Sequence, residues 1–179
     1  MTEVGLNYGQ ALYALAKDEG LSEEILAQLK VLQQSFSQEP DFLRLLSAPD
    51  LGKQERCQIL EDCLRDKVHP YVLNFLKILT EKGCVKAFDS CLKVYIAQYN
   101  QDNGILPVLA VTAVALTADQ QKRLQEKLQQ VTKKTVQLQN RVEPGCLGGV
   151  RLDFDGKRVD GTVKNRLEAL RSQLNNTVL

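Results

Sequence analysis

The sequence predicts an α+β protein. A six-helix bundle over residues 1–104 should be followed by a small α/β domain over residues 105–179. Three observations carry this. Apolar residues recur at helical spacing in six successive segments before Asn103-Gly104. Beyond that dipeptide a valine-rich run and then strict alternation replace the helical period. Charge also changes sign there. Residues 1–104 hold 11 Lys and Arg against 15 Asp and Glu, net −4, while residues 105–179 hold 12 against 7, net +5.

In the first segment Val4, Tyr8, Ala11, Leu12 and Leu15 form one stripe, and Gly20 ends the helix. Ser22 is expected to cap the second helix, with Glu23 and Glu24 in its first turn and Leu21 and Leu26 placed as a hydrophobic staple. Its stripe is Ile25, Leu29, Leu32 and Phe36. Pro40 opens a short third helix carrying Phe42, Leu43, Leu45 and Leu46, which Pro49 breaks. The fourth follows Gly52 and uses Ile59, Leu60, Cys63 and Leu64. Pro70 suits the first turn of the fifth, with Val72, Phe75, Leu76 and Leu79 inside and Gly83 as its C-terminal cap. The sixth runs from Val85 through Phe88, Leu92, Tyr95, Ile96 and Tyr99. Short connections between amphipathic helices imply a bundle.

In the second domain Ile105 to Leu116 is apolar at nearly every position and reads as a buried strand. Thr117 and Gln120 form a capping box for a helix burying Leu124, Leu128 and Val131. Val136, Leu138 and Val142 alternate as a second strand. Pro144-Gly145 is a turn. Gly148-Gly149 permits positive φ or close approach of another backbone. Val150, Leu152 and Phe154 alternate, and Asp155-Gly156 is the dipeptide of a two-residue hairpin turn, returning through Lys157 to Val159. Asp160 or Thr162 can cap a last helix with Val163, Leu167, Leu170 and Leu174 as its stripe. The two helices should pack on one small sheet.

The residues argue against catalysis. His69, the single histidine, precedes Pro70 and reads as a helix-start residue. The five cysteines, Cys57, Cys63, Cys84, Cys91 and Cys146, have neither zinc-site spacing nor a C-x-x-C pair, so reduced thiols are expected and no metal or cofactor. No phosphate-loop or dinucleotide motif occurs. The longest apolar run is 12 residues, against about 20 for a membrane span. With no basic leader at the N-terminus, membrane association is expected only through a partner. Lys133, Lys134, Lys157, Arg158, Lys164 and Arg166 could suggest nucleic acid, but near-zero net charge and the lack of tryptophan favour a solvated or protein-binding face. From the residues alone a free-standing helical adaptor, or an RNA-associated protein, stays open.

The stretch Val142–Leu174 resembles the C-terminal signature of the delta subunit of F-type ATP synthases, the family that includes the mitochondrial oligomycin-sensitivity-conferring protein. The resemblance rests on Glu143-Pro144, Cys146-Leu147, Gly148-Gly149, Asp155-Gly156, Asp160-Gly161-Thr162, Arg166-Leu167 and Leu170. Gly145 for a larger residue, Asp-Gly for Gly-Asp and Thr162 for serine are departures that keep the local chemistry. The N-terminal half is similar to the family at NYGQALYALAKDEG, EPDFLRLLSAPDLGKQERCQIL and NFLKILTEKG, with Gly9 where alanine is common and Cys84 where arginine usually follows the glycine.

The resemblance implies a non-catalytic stator that ties the catalytic head to the peripheral stalk at the cytoplasmic face of a bacterial plasma membrane. An N-terminal helix of an alpha subunit should lie against the first and fifth helices. On this sequence that means Tyr8, Ala11, Leu12 and Leu15 with Asn74, Ile78 and Glu81, Gly9 and Ala11 leaving room. The C-terminal domain should grip the C-terminal ends of the stalk b subunits, on a scaffold of Leu147 to Val150 and the last helix. Pro144, Leu147, Gly148, Gly149, Gly156, Asp160, Thr162, Leu167 and Leu170 are expected to be structural.

Overall fold

The structure is a computed structural model that describes residues 3–48, 51–165 and 167. The chain divides into two compact units, Met1–Tyr99 and Asn100–Leu179. The first unit is helical and the second holds a four-stranded sheet, so the architecture is α+β.

The helices are α1 (Glu3–Asp18), α2 (Ser22–Gln38), α3 (Pro40–Leu46), α4 (Lys53–Leu64), α5 (Pro70–Glu81) and α6 (Phe88–Asp102), whose last turn crosses into the second unit. They share a core that includes Leu12, Ile25, Leu29, Leu76, Leu92 and Tyr95. The Tyr95 hydroxyl donates to the Ser22 carbonyl at 2.9 Å, tying α6 to the start of α2. Burial pushes that phenol well above its usual pKa. Two helix ends close identically. At Gly20 (φ +69) the Leu21 N–H donates to the Ala16 carbonyl, and at Gly83 (φ +67) the Cys84 N–H donates to the Leu79 carbonyl. Both are six-to-one bonds that require a left-handed residue and so select glycine.

Three expectations for this unit change. Ser22 does not cap α2. Leu21 occupies the cap position with no side-chain bond, because the tight Gly20 turn delivers the chain directly into the helix. The sixth helix begins with a 3₁₀ turn, Val85–Ala87, before α6. Cys63, placed on the α4 stripe, is exposed, and only Leu60 of that stripe is fully buried.

In the second unit β1 (Ile105–Thr112), α7 (Ala118–Thr132), β2 (Thr135–Val142), β3 (Val150–Phe154) and β4 (Lys157–Asp160) follow in turn. The sheet order is β2-β1-β3-β4, with β1 and β2 parallel and the other pairs antiparallel. Leu106, Val108 and Val136 form its core, with Leu128 of α7 and Leu138, Leu152 and Phe154 packed on them. This is the period-two face a half-covered sheet requires. Asp155 (φ 51) and Gly156 (φ 71) both adopt positive φ, as a type I′ turn demands. The Thr117–Gln120 capping box forms as expected.

Here too the structure corrects the sequence reading. The first strand ends at Thr112, four residues early, opposite Val142, the last residue of its partner β2, and beyond it the Leu116 N–H donates to the Asn140 side chain at 3.0 Å. Val131 is 82 % exposed, so the apolar seam of α7 stops at Leu128.

Candidate functional site

Helix α5 shows how the first unit sets out a binding face. His69 caps it, Nδ1 accepting from the Tyr71 N–H at 3.3 Å, and the His69 N–H donates to Gln28 of α2 at 2.7 Å. Val72, Leu73, Phe75, Leu76 and Leu79 turn inward. Asn74, Ile78 and Glu81 are exposed at four- and three-residue spacing, which puts them on one face. Ile78 is 42 % exposed, while every other aliphatic side chain of α5 is buried. Beside it, Lys77 pairs with Glu61 of α4 at 2.7 Å, which holds the Glu61 carboxyl below its ordinary pKa.

Helix α1 presents Ala11 and Leu15 to solvent, and Tyr8 half-buried against the core. Leu12, expected at the contact, is a core residue instead, 6 % exposed. Gly9 does not leave room for a partner either. A Cβ there would lie 2.6 Å from the Cys91 carbonyl oxygen and 3.0 Å from Val94 Cβ, so the space belongs to α6. Gly5, one turn earlier, meets Ser90 of the same helix. The four-residue spacing of Gly5 and Gly9 is the sequence signal for this close packing.

In the second unit Pro144 opens a 3₁₀ turn ending at Cys146, which is buried. Leu147 follows at φ +61, and Gly149 at φ +80. A Cβ on Gly149 would sit 2.5 Å from the Gly161 carbonyl oxygen, so both expected reasons for glycine hold at that residue. Asp160 accepts from the Thr162 N–H at 2.9 Å and from its hydroxyl at 2.7 Å. Thr162, buried, accepts in turn from the Asn165 N–H at 3.3 Å, so threonine caps the last helix and Asp160 steadies the cap. Residues 163–165 and 167 are helical, with Val163 and Leu167 exposed. Arg166, Leu170 and Leu174 lie outside the described residues.

Charges on the sheet form a linked set that the sequence did not reveal, since it depends on strand register. Glu143 lies between Arg141 (3.6 Å) and Arg151 (3.4 Å), and Asp153 between Arg151 (3.4 Å) and Arg158 (2.8 Å). The Asp153 carboxyl is held below its ordinary pKa chiefly by the Arg158 hydrogen bond, and that of Asp160 chiefly by the Thr162 hydroxyl. A folded pKa lowered in this way contributes stability above the unfolded value near pH 4, and that stability is lost as pH falls through the folded values. Melting of the second unit should therefore be flat between about pH 7 and 5 and fall below about pH 4. Asp160→Asn, which does not titrate, should weaken that acid dependence in a pH series of thermal melts.

Among the described residues no group of three His, Cys, Asp or Glu is placed to hold a metal, and no helix is long and apolar enough to cross a membrane. What each unit offers is partly apolar surface over its own packed core.

Known proteins agree with that character. Residues 4–174 match the ATP synthase delta (OSCP) subunit family. The ATP synthase subunit delta of Alkaliphilus oremlandii is 33 % identical over 171 residues, covering 96 % of this chain and 95 % of its own. That of Lactobacillus gasseri is 32 % identical over 173 residues, covering 96 % and 94 %. A chain of the Toxoplasma gondii mitochondrial ATP synthase hexamer shares the fold, with a TM-score of 0.77 at 21 % identity over 97 % of this chain and 98 % of that one. The chain belongs to the ATP synthase delta (OSCP) family, a non-catalytic component of the peripheral stalk of F-type ATP synthase.

Proposed function

We propose that the protein is the static joint between head and stalk. Its N-terminal six-helix bundle holds the N-terminal helix of an alpha subunit, and its C-terminal α/β domain holds the C-terminal ends of the b subunits. The complex sits at the cytoplasmic face of a bacterial plasma membrane, and this chain reaches the membrane only through it. A rotor turning inside the head carries the head with it unless the head is tied down, and torque then yields no ATP.

Ile78 is the observation that carries the first joint. An aliphatic side chain left in solvent between Asn74 and Glu81, on a helix fixed at both ends, is what an amphipathic partner helix needs to dock. Ala11 and Leu15 of α1, with Tyr8 at their edge, supply a second apolar strip. For the second joint the support is the net +5 of residues 105–179, which suits acidic helix ends and guides approach and register more than affinity. Family membership removes the unrelated adaptor, and no nucleic-acid partner is proposed.

Titration with a synthetic alpha N-terminal helix tests the first joint. The wild-type chain should bind it, and Ile78→Asp should weaken binding by about 100-fold or more, as expected for burying a charge at a central contact. Helical circular dichroism should be unchanged, since Ile78 supports no core. Equal affinity in the mutant would reject the α5 assignment.

A further inference from the structure

We infer that Asn103 is a site of spontaneous covalent modification, where the folded chain loses a side-chain amide and gains an isoaspartyl link at the entry to its sheet. The product is a substrate for a carboxyl methyltransferase that recognises isoaspartyl residues. This is independent of the head and stalk joints proposed above.

The first observation is that the fold imposes the dipeptide. Helix α6 ends at Asp102, and the chain leaves it through a turn at Asn103 and Gly104. Gly104 has φ +61, the left-handed conformation that selects glycine at a helix end. A Cβ there would meet nothing within 4 Å, so glycine is needed for its angle and not for close packing. The same absence of a side chain leaves the Gly104 nitrogen open to a neighbouring carbonyl carbon.

The second observation is how Asn103 differs from the other described asparagines. It is exposed, and no other Asn-Gly pair occurs in the sequence. The Gly104 N–H donates to the Gln101 carbonyl at 3.3 Å, a long bond at a helix end, where ends fray. Asn7, Asn74 and Asn100 lie inside α1, α5 and α6 and precede Tyr8, Phe75 and Gln101. Asn140 spends its side chain on the Leu116 N–H, the Ala110 carbonyl and the Thr112 hydroxyl. Asn165 is helical and donates to the Asp160 carbonyl.

The Gly104 nitrogen attacks the Asn103 side-chain carbonyl carbon. A C–N bond forms, the bond to the amide nitrogen breaks, and that nitrogen leaves as ammonia with the proton from Gly104. Water then opens the cyclic imide. Cleavage at the side-chain carbonyl gives aspartate. Cleavage at the main-chain carbonyl gives isoaspartate, with the backbone running through Cβ. Either product adds a negative charge beside Asp102 at the C-terminal end of α6, where the helix macrodipole disfavours it. The isoaspartyl form also lengthens the main chain just before Gly104, whose carbonyl accepts from the Thr135 N–H at 2.9 Å. That bond precedes the Ile105–Thr135 pair, which opens the parallel β1–β2 ladder.

The test incubates the full folded chain in warm, mildly alkaline buffer and maps its peptides by mass spectrometry. The peptide holding Asn103 should show the mass gain of amide-to-acid conversion while every other described asparagine keeps its amide. It should resolve into two products, one of which accepts a labelled methyl group from an isoaspartyl methyltransferase. Asn103→Gln, whose longer side chain closes a ring far less readily, should lose the methyl label. Earlier reaction at another described asparagine overturns the inference. So does reaction that appears only in denaturant, which would show that the fold protects the site. Isolated isoaspartyl chain should melt below Asn103→Asp, which carries the same charge without the longer backbone. Equal melting overturns the assigned effect on the β1–β2 ladder.

Discussion

Gly149→Ala should destabilise the C-terminal unit by about 3 kcal/mol or more, one of the larger single-residue effects available in this chain. Two independent causes add. An alanine at φ +80 sits in a left-handed region that costs about 1 kcal/mol. Its Cβ would also lie 2.5 Å from the Gly161 carbonyl oxygen and 3.0 Å from Thr162 Cα. These are backbone atoms, so no rotamer change relieves the clash. Gly161 cannot retreat freely, because its N–H donates to the Val150 carbonyl at 3.0 Å and the next residue is the buried cap of the last helix. Thermal denaturation should show an early transition for this unit. Gly145→Ala is the control, since a Cβ there meets nothing within 4 Å and the mutant should melt like wild type.

Gly9→Ala should lower stability by about 1–3 kcal/mol although helix propensity argues the opposite way. In an exposed helix the change would gain about 1 kcal/mol. At Gly9 the added carbon lies 2.6 Å from the Cys91 carbonyl oxygen, and α1 must back away from α6 to admit it. That movement loosens packing around Tyr13 and Tyr95, whose rings meet edge to face at 5.2 Å. Both tyrosines lie in the shared core, so the cost spreads beyond one site. A melting temperature at or above wild type would contradict the close α1–α6 seam.

Local chemistry was legible in the sequence. The α2 stripe of Ile25, Leu29, Leu32 and Phe36 is buried as its spacing requires. The Asp155-Gly156 hairpin, the Thr117–Gln120 box and the Gly83 cap depend on neighbours only a few residues away. What sequence could not supply was the identity of the distant partner. Ala113 to Leu116 is as apolar as β1, yet the strand stops where its sequence-distant partner β2 stops, at the Thr112–Val142 pair. Gly9 reads as room for a partner helix until α6 is seen against it. Leu12 and Leu15 occupy the same kind of stripe position, yet one is core and the other 41 % exposed. Leu147 reads as an apolar residue before a glycine pair, and nothing in its neighbours announces a left-handed backbone or a solvated side chain.

In the proposed role this chain takes no part in chemistry and only resists rotation. Proton-driven ATP synthesis in membrane vesicles, measured with and without the chain, tests it most directly. Vesicles lacking it should make almost no ATP while the head still hydrolyses ATP, and adding back the purified protein should restore synthesis. Synthesis at the full rate in its absence would contradict the account.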